Sequence, residues 1–197
     1  MKKLEFYVFP VTFIIGFLIY LLEYPFGAII TIFSLLGLSC LYFYFGFALF
    51  NKIPFRRIFK KESYQSISIW RIIGAIVTGF SISIVIVGVL FKIFRWPFAN
   101  QLLIIGSFFL IITFIVSLIK HIKHKNASAF YKSVVLRVVF FGVGGILFLC
   151  LPDYTFLALK YKNHPDYIEA VKQLDKDPEN IELIKEEQRA YEKMIRE

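Results

Sequence analysis

The chain has 197 residues, 58% of them hydrophobic and 24 of them phenylalanine, with a mean hydropathy of +0.67, which is too apolar for a soluble domain of this size. The net charge of +9 does not mark a nucleic-acid binder, because it follows the apolar part of the chain: residues 1–159 hold 15 Lys/Arg against 4 Asp/Glu, and residues 160–197 hold 8 against 10. Two cysteines make no disulfide framework, so Cys40 and Cys150 are expected as buried thiols acting as small apolar residues.

Taken in order, the apolar runs between charges are long enough to span a hydrocarbon core of about 20 helical residues. Backbone groups in lipid must be satisfied internally, and unbroken apolar runs of this length fit helices rather than barrel strands. The expected fold is therefore an all-α polytopic integral membrane protein. Its transmembrane domain, residues 1–159, has helices at about 6–22, 26–50, 70–92, 98–119 and 136–158, followed by a soluble helical tail at 160–197. The first run is too long for a signal-peptide core and ends in Glu23-Tyr24-Pro25 without a small-residue cleavage site, so it is expected as an uncleaved span.

Lys2 and Lys3 precede the first run. Six Lys/Arg lie between the second and third runs, among them Arg56, Arg57, Lys60 and Lys61, and five lie between the fourth and fifth. The two intervening corners offer only Lys92 and Arg95. The positive-inside rule then places the N-terminus in the cytoplasm, with the corners and the tail on the outer side. Tyr42 and Tyr44, near the inner end of the second helix, suit an interfacial belt with wet hydroxyls. Pro54 to Lys61 reads as an amphipathic segment, with Phe55, Ile58 and Phe59 on one face and Arg56, Arg57, Lys60 and Lys61 on the other, which would contact anionic headgroups of the inner leaflet.

In the third helix Ala75, Gly79 and Ser83 stand four apart, a small-residue stripe for close helix packing, with Gly142, Gly144 and Gly145 of the fifth run as a possible complement. His121 and His124 are three apart among lysines, too few for a zinc site, so no metal or cofactor is expected. In the tail, His164-Pro165-Asp166 and Asp177-Pro178-Glu179 each read as a proline at the first helical position followed by an acid. The second of these helices carries Ile181, Ile184, Tyr191 and Ile195 on one face, a stripe suited to a protein partner.

The chain also repeats at an offset of 72: Gly16 matches Gly88, and Tyr24-Pro25-Phe26-Gly27 matches Trp96-Pro97-Phe98-Ala99. This predicts two parallel hairpin repeats plus one helix, with Glu23 and Arg95 at equivalent places and close enough to pair, and with Lys92 and Asp153 as further partners. Glu23, Tyr24, Pro25, Lys92, Arg95, Trp96, Pro97 and Asp153 form the charged and aromatic outer corner. No run shows an ionisable residue near its middle, which argues against a proton pump, an ion-coupled transporter or an intramembrane hydrolase, so no enzyme activity is expected.

Phe91-Lys92-Ile93-Phe94-Arg95-Trp96-Pro97-Phe98-Ala99, with Gly88 before it and Gly106 after it, resembles the Phe-Lys-Ile-x-His-Trp-Pro-Gly-Ala hairpin of Bacteroidota membrane proteins related to the L subunit of the gliding-motility and type 9 secretion motor. Arg95 stands where that family has His, and Phe98 where it has Gly. Leu110 stands near the place of the family's motor glutamate, so motor activity is not carried over. The resemblance implies a non-enzymatic structural or accessory subunit of an inner-membrane complex, linked to gliding motility or protein secretion, with membrane lipids and a protein partner and no nucleic acid. The alternative is a small transporter or lipid-binding protein with a site at the outer leaflet between the repeats.

Overall fold

The computed structural model describes residues 1–65, 67–123 and 128–196, with the side chains of residues 123 and 128 also left aside; His124, Lys125 and Glu197 lie outside the described residues. Regular structure among them is helical throughout: a π-helical turn Leu4–Val8, then α1 (Phe9–Leu21), α2 (Phe26–Phe50), α3 (Ile69–Ile93), α4 (Ala99–Lys123), α5 (Ser128–Cys150), α6 (Thr155–Lys160), α7 (Pro165–Lys176) and α8 (Ile181–Arg196). Five segments are long and apolar enough to cross a bilayer: Leu4–Leu21, Phe26–Phe50, Ile69–Ile93, Ala99–Ile122 and Ala129–Cys150. Their outward faces carry Ile14, Phe33, Phe80, Phe108 and Phe140, and a band of that size needs lipid rather than water around it.

Each of α1 to α5 packs on its sequence neighbours within that series, and α3 lies at the centre, against α2, α4 and α5. Close approach depends on small residues, since lipid tails leave apolar side chains no hydrophobic reason to associate. A Cβ on Gly79 would meet the Tyr42 carbonyl oxygen at 2.5 Å and Gly46 Cα at 3.1 Å. Ser83 Oγ lies 2.7 Å from Ser39 Oγ. The stripe Ala75, Gly79, Ser83 thus packs on α2, and not on the glycines of α5: Gly144 has open space around it, and Gly145 faces Val85 and Ser107. Two buried threonines return their hydroxyls to their own helix: Thr31 donates to the Gly27 carbonyl at 2.8 Å and Thr78 to that of Gly74 at 2.6 Å.

The two corners share a backbone pattern. At the end of α1, Leu22, Glu23 and Tyr24 donate to the carbonyls of Leu18, Tyr20 and Ile19 at 3.0, 3.1 and 3.2 Å; at the end of α3, Phe94, Arg95 and Trp96 donate to those of Leu90, Lys92 and Phe91 at 3.2, 3.3 and 2.8 Å. Every bond of the first set has its counterpart 72 residues on. Both are Schellman terminations with the αL residue at Glu23 (φ 65) and Arg95 (φ 56). Phe98, at φ 67, has no positive-φ counterpart in the first corner.

Several expectations are corrected. The fifth helix is Ser128–Cys150 rather than 136–158. It stops because Pro152 has no N–H and restricts Leu151, and it starts early because Arg137, which seemed to mark its watery end, is buried within the bundle. The expected division between residues 159 and 160 falls inside α6, which packs Phe156 into the core against Phe17 and Phe148. Pro54 to Lys61 is no continuous amphipathic helix: Phe55–Arg57 and Lys61–Tyr64 are separate 3-10 turns, Ile58 is buried with Ala48 and Ile53, and Phe59 is 93% exposed. Cys40 and Cys150 are exposed on the bundle, where lipid removes the reason to bury a thiol.

Pro178 does not open the last helix. Asn180 caps it instead, its Oδ1 accepting from the N–H of Glu182 at 3.0 Å and of Leu183 at 3.4 Å. At the other end of the chain, the π turn before Pro10 widens the helix where proline removes a bond and crowds the preceding turn.

Candidate functional site

At the end of the bundle formed by the two corners, the sequence Gly88 to Phe98 brings α3 to its Schellman stop with Lys92 facing inward. Lys92 is 2% exposed, and its Nζ donates to Asn100 Oδ1 at 2.7 Å and to Asp153. Asn100 Nδ2 in turn donates to Asp153 Oδ1 at 3.3 Å. An ammonium removed from water is costly unless paired and hydrogen-bonded, and the two partners here come from α4 and from the break after α5. Asp153 keeps nearly half its side chain in solvent, so the site meets water at this carboxylate.

Arg95 does not pair with Glu23. Its guanidinium donates to Asp175 near the end of α7, while Glu23 is exposed. Both residues take the αL backbone at their corners, and for Arg95 the folded tail supplies the carboxylate in reach, Asp175. Trp96 packs its ring on Phe91 and Phe94, and Tyr20 of α1 meets Phe94 at 5.0 Å between centroids. Lys160 sits 4.6 Å over the Tyr20 ring. Tyr24, Pro25 and Pro97 remain exposed. The corner is thus an aromatic and charged platform on which α6 and α7 are seated.

A second polar cluster, at the opposite end, was not foreseen. Glu5 is 4% exposed and Arg137 7%. Arg137 Nη2 donates to Glu5 Oε2 at 2.8 Å and its Nε to Oε1, a two-pronged pairing. Tyr42 donates its hydroxyl to the same carboxylate, so this tyrosine is buried and bonded rather than wet. Arg137 also reaches the Ser133 carbonyl at 3.2 Å and stands over the rings of Phe6 and Phe50. The spans therefore do hold ionisable groups, in compensated form. The signal available beforehand was the four-residue spacing of Phe130, Val134 and Val138, which already runs upstream of Arg137.

The remaining expected residues are dispersed. Arg56, Arg57, Lys60 and Lys61 are exposed on the connection between α2 and α3. In the tail, Tyr191 stacks near Tyr167 at 5.5 Å, within the chain itself, while Ile181, Ile184 and Ile195 stay exposed on α8. Tyr167 donates to Glu187 at 3.3 Å; burial first, then the Glu187 carboxylate, push its phenol above the ordinary value. His121 stands at the end of α4, and no group of three or more His, Cys, Asp or Glu able to hold a metal occurs among the described residues.

The geometry offers one buried ion pair, Glu5 with Arg137, and one half-buried pair, Lys92 with Asp153. Such an arrangement can lock helices in register. No curated protein and no solved structure matches the chain. A family model does: residues 77–134, running from mid-α3 through the Lys92 corner and α4 into the start of α5, are similar to the GldL N-terminal domain.

Proposed function

We propose that the chain is a non-enzymatic structural or accessory subunit of a bacterial inner-membrane complex, of the gliding-motility or protein-secretion class. The observation that carries this is the match of residues 77–134 to the GldL N-terminal domain, which falls on the second hairpin and its Trp96-Pro97 corner. The engaged state of Lys92 and Arg137, both tied to carboxylates of the same chain, supports a structural use of these charges. The equivalent Schellman corners support reading α1–α2 and α3–α4 as parallel copies of one hairpin. Ile181, Ile184 and Ile195, exposed on a tail held at the corner end, are the surface we assign to the protein partner.

The Lys/Arg distribution supports a cytoplasmic N-terminus and a periplasmic tail. Reporter fusions at Ser63 and after Arg196 test this part, with cytoplasmic activity expected at the first and periplasmic activity at the second. The functional reading is tested by native purification from the source membrane followed by cross-linking of α8. A stoichiometric membrane complex joined through α8 is the expected result; a chain that purifies alone and moves a solute in vesicles overturns it.

A further inference from the structure

Between the end of α2 and the first turn of α3 lies a cavity of about 300 Å³, lined by Asn51, Lys52, Arg57, Ser63 and Arg71 together with apolar residues. No acid lines it. Three cations converging on a space of this size repel one another, and none of the three has an ion-pair partner among the described residues. We propose that this cavity binds a phosphate-bearing anion, either the phosphodiester of an anionic lipid headgroup or a free phosphate.

The donors are held in advance. Lys52 occupies the αL position (φ 58) of a Schellman stop, with its N–H on the Leu49 carbonyl at 3.2 Å and that of Ile53 on Ala48 at 2.8 Å. Arg71 holds its guanidinium carbon over the Phe130 ring, 4.2 Å from the centroid. A cation–π contact of this kind restrains the side chain, and arginine so placed is suited to recognise phosphate. Its Nε is buried with no hydrogen-bond partner among the described residues, and a buried donor left unmade is costly. Asn51 donates through Nδ2 to the Phe47 carbonyl at 2.7 Å, which fixes this lining side chain in place.

The volume is at the small end of the range for ligand sites, about 300–1,000 Å³, and so suits a headgroup rather than a larger solute. The site also stands at the ends of two spans, at headgroup level, with Phe59, Ile69 and Trp70 exposed on the same connection and on the first turn of α3. The charge that matters is then the set Lys52, Arg57, Arg71, and not the exposed lysines Lys60 and Lys61 of the same connection.

The full chain in dodecylmaltoside is titrated with dioleoylphosphatidylglycerol, dioleoylphosphatidylcholine and inorganic phosphate, with bound lipid read by native mass spectrometry and bound phosphate by calorimetry. Retention of phosphatidylglycerol over phosphatidylcholine by about tenfold, lost in Lys52→Asn/Arg57→Gln, is the expected result. Asn tolerates the αL backbone at position 52, and both side chains are exposed, so this variant keeps the fold. Lys60→Gln/Lys61→Gln removes equal charge outside the cavity and should leave retention unchanged. Phosphate binding that the first variant abolishes, without lipid preference, supports the site with a soluble anion as its ligand. Equal losses in the two double variants, or no preference for phosphatidylglycerol and no phosphate binding in the unaltered protein, overturn the proposal.

Discussion

Arg137 on α5 and Glu5 ahead of α1, 132 positions apart, close a two-pronged ion pair inside the bundle. The pair joins the first span to the last and recruits Tyr42 from α2, so three helices meet at one carboxylate. Breaking such a pair from one side leaves a buried charge without its partner, which costs about 3–5 kcal/mol, whereas removing both charges is far milder. Glu5→Gln should therefore unfold the protein in detergent at markedly lower temperature. Glu5→Gln/Arg137→Met should recover much of the loss. Additive losses in thermal unfolding of the double variant would show that the two side chains do not interact.

Gly79 and Gly74 are five residues apart on α3 and differ in surroundings. A Cβ on Gly79 collides with the α2 backbone, and one on Gly74 meets nothing within 4 Å. Gly74→Ala should be neutral or stabilising by up to about 1 kcal/mol through helix propensity. Gly79→Ala, with the same gain in propensity, should destabilise, and Gly79→Leu should abolish the monodisperse species on size exclusion. Equal stability of the two alanine variants would mean that α2 and α3 can part without cost.

Phe98 holds φ 67 with its side chain exposed, at the place where the resembling hairpin has glycine. An L residue in that region carries about 1–2 kcal/mol of strain. Phe98→Gly should raise the melting temperature. Phe98→Val, β-branched, should lower it. A fall in melting temperature for the glycine variant would show that the ring contributes more than the backbone strain costs.

Asp175 receives the Arg95 guanidinium and ties α7 to the second corner. Both side chains are about one fifth exposed, so the pair is largely removed from water and losing one partner leaves a mostly buried charge uncompensated. Its loss should be felt locally. In Asp175→Asn, amide hydrogen exchange across residues 165–196 should quicken while α2, α3 and α4 keep their protection. Unchanged exchange in the tail would show that the Phe156 contact with Phe17 and Phe148 alone seats it.

The five spans were legible in the sequence because each depends on a property of a single stretch, the length of an apolar run, and the corners were legible because a Schellman stop is built from bonds between residues at most five apart. The repeat of Gly16 to Gly27 at Gly88 to Ala99 belongs to the same local class, and the backbone bonds of the two corners match at that offset. Where a local rule had two readings, the wrong one was available: Arg137 looks like a watery boundary, and Phe55, Ile58 and Phe59 look like one face. Only packing decides those, because a charge can sit inside an apolar span if another segment brings its counter-charge. The pairs Glu5 with Arg137, Lys92 with Asp153 and Arg95 with Asp175 join residues 132, 61 and 80 positions apart. No window of sequence contains both members, and the choice of Asp175 over Glu23 for Arg95 follows from where α7 folds back. The sequence alone determined a helical membrane protein and its corners; tertiary structure decided which charges neutralise one another, because pairing depends on distance in space, which apolar periodicity does not encode.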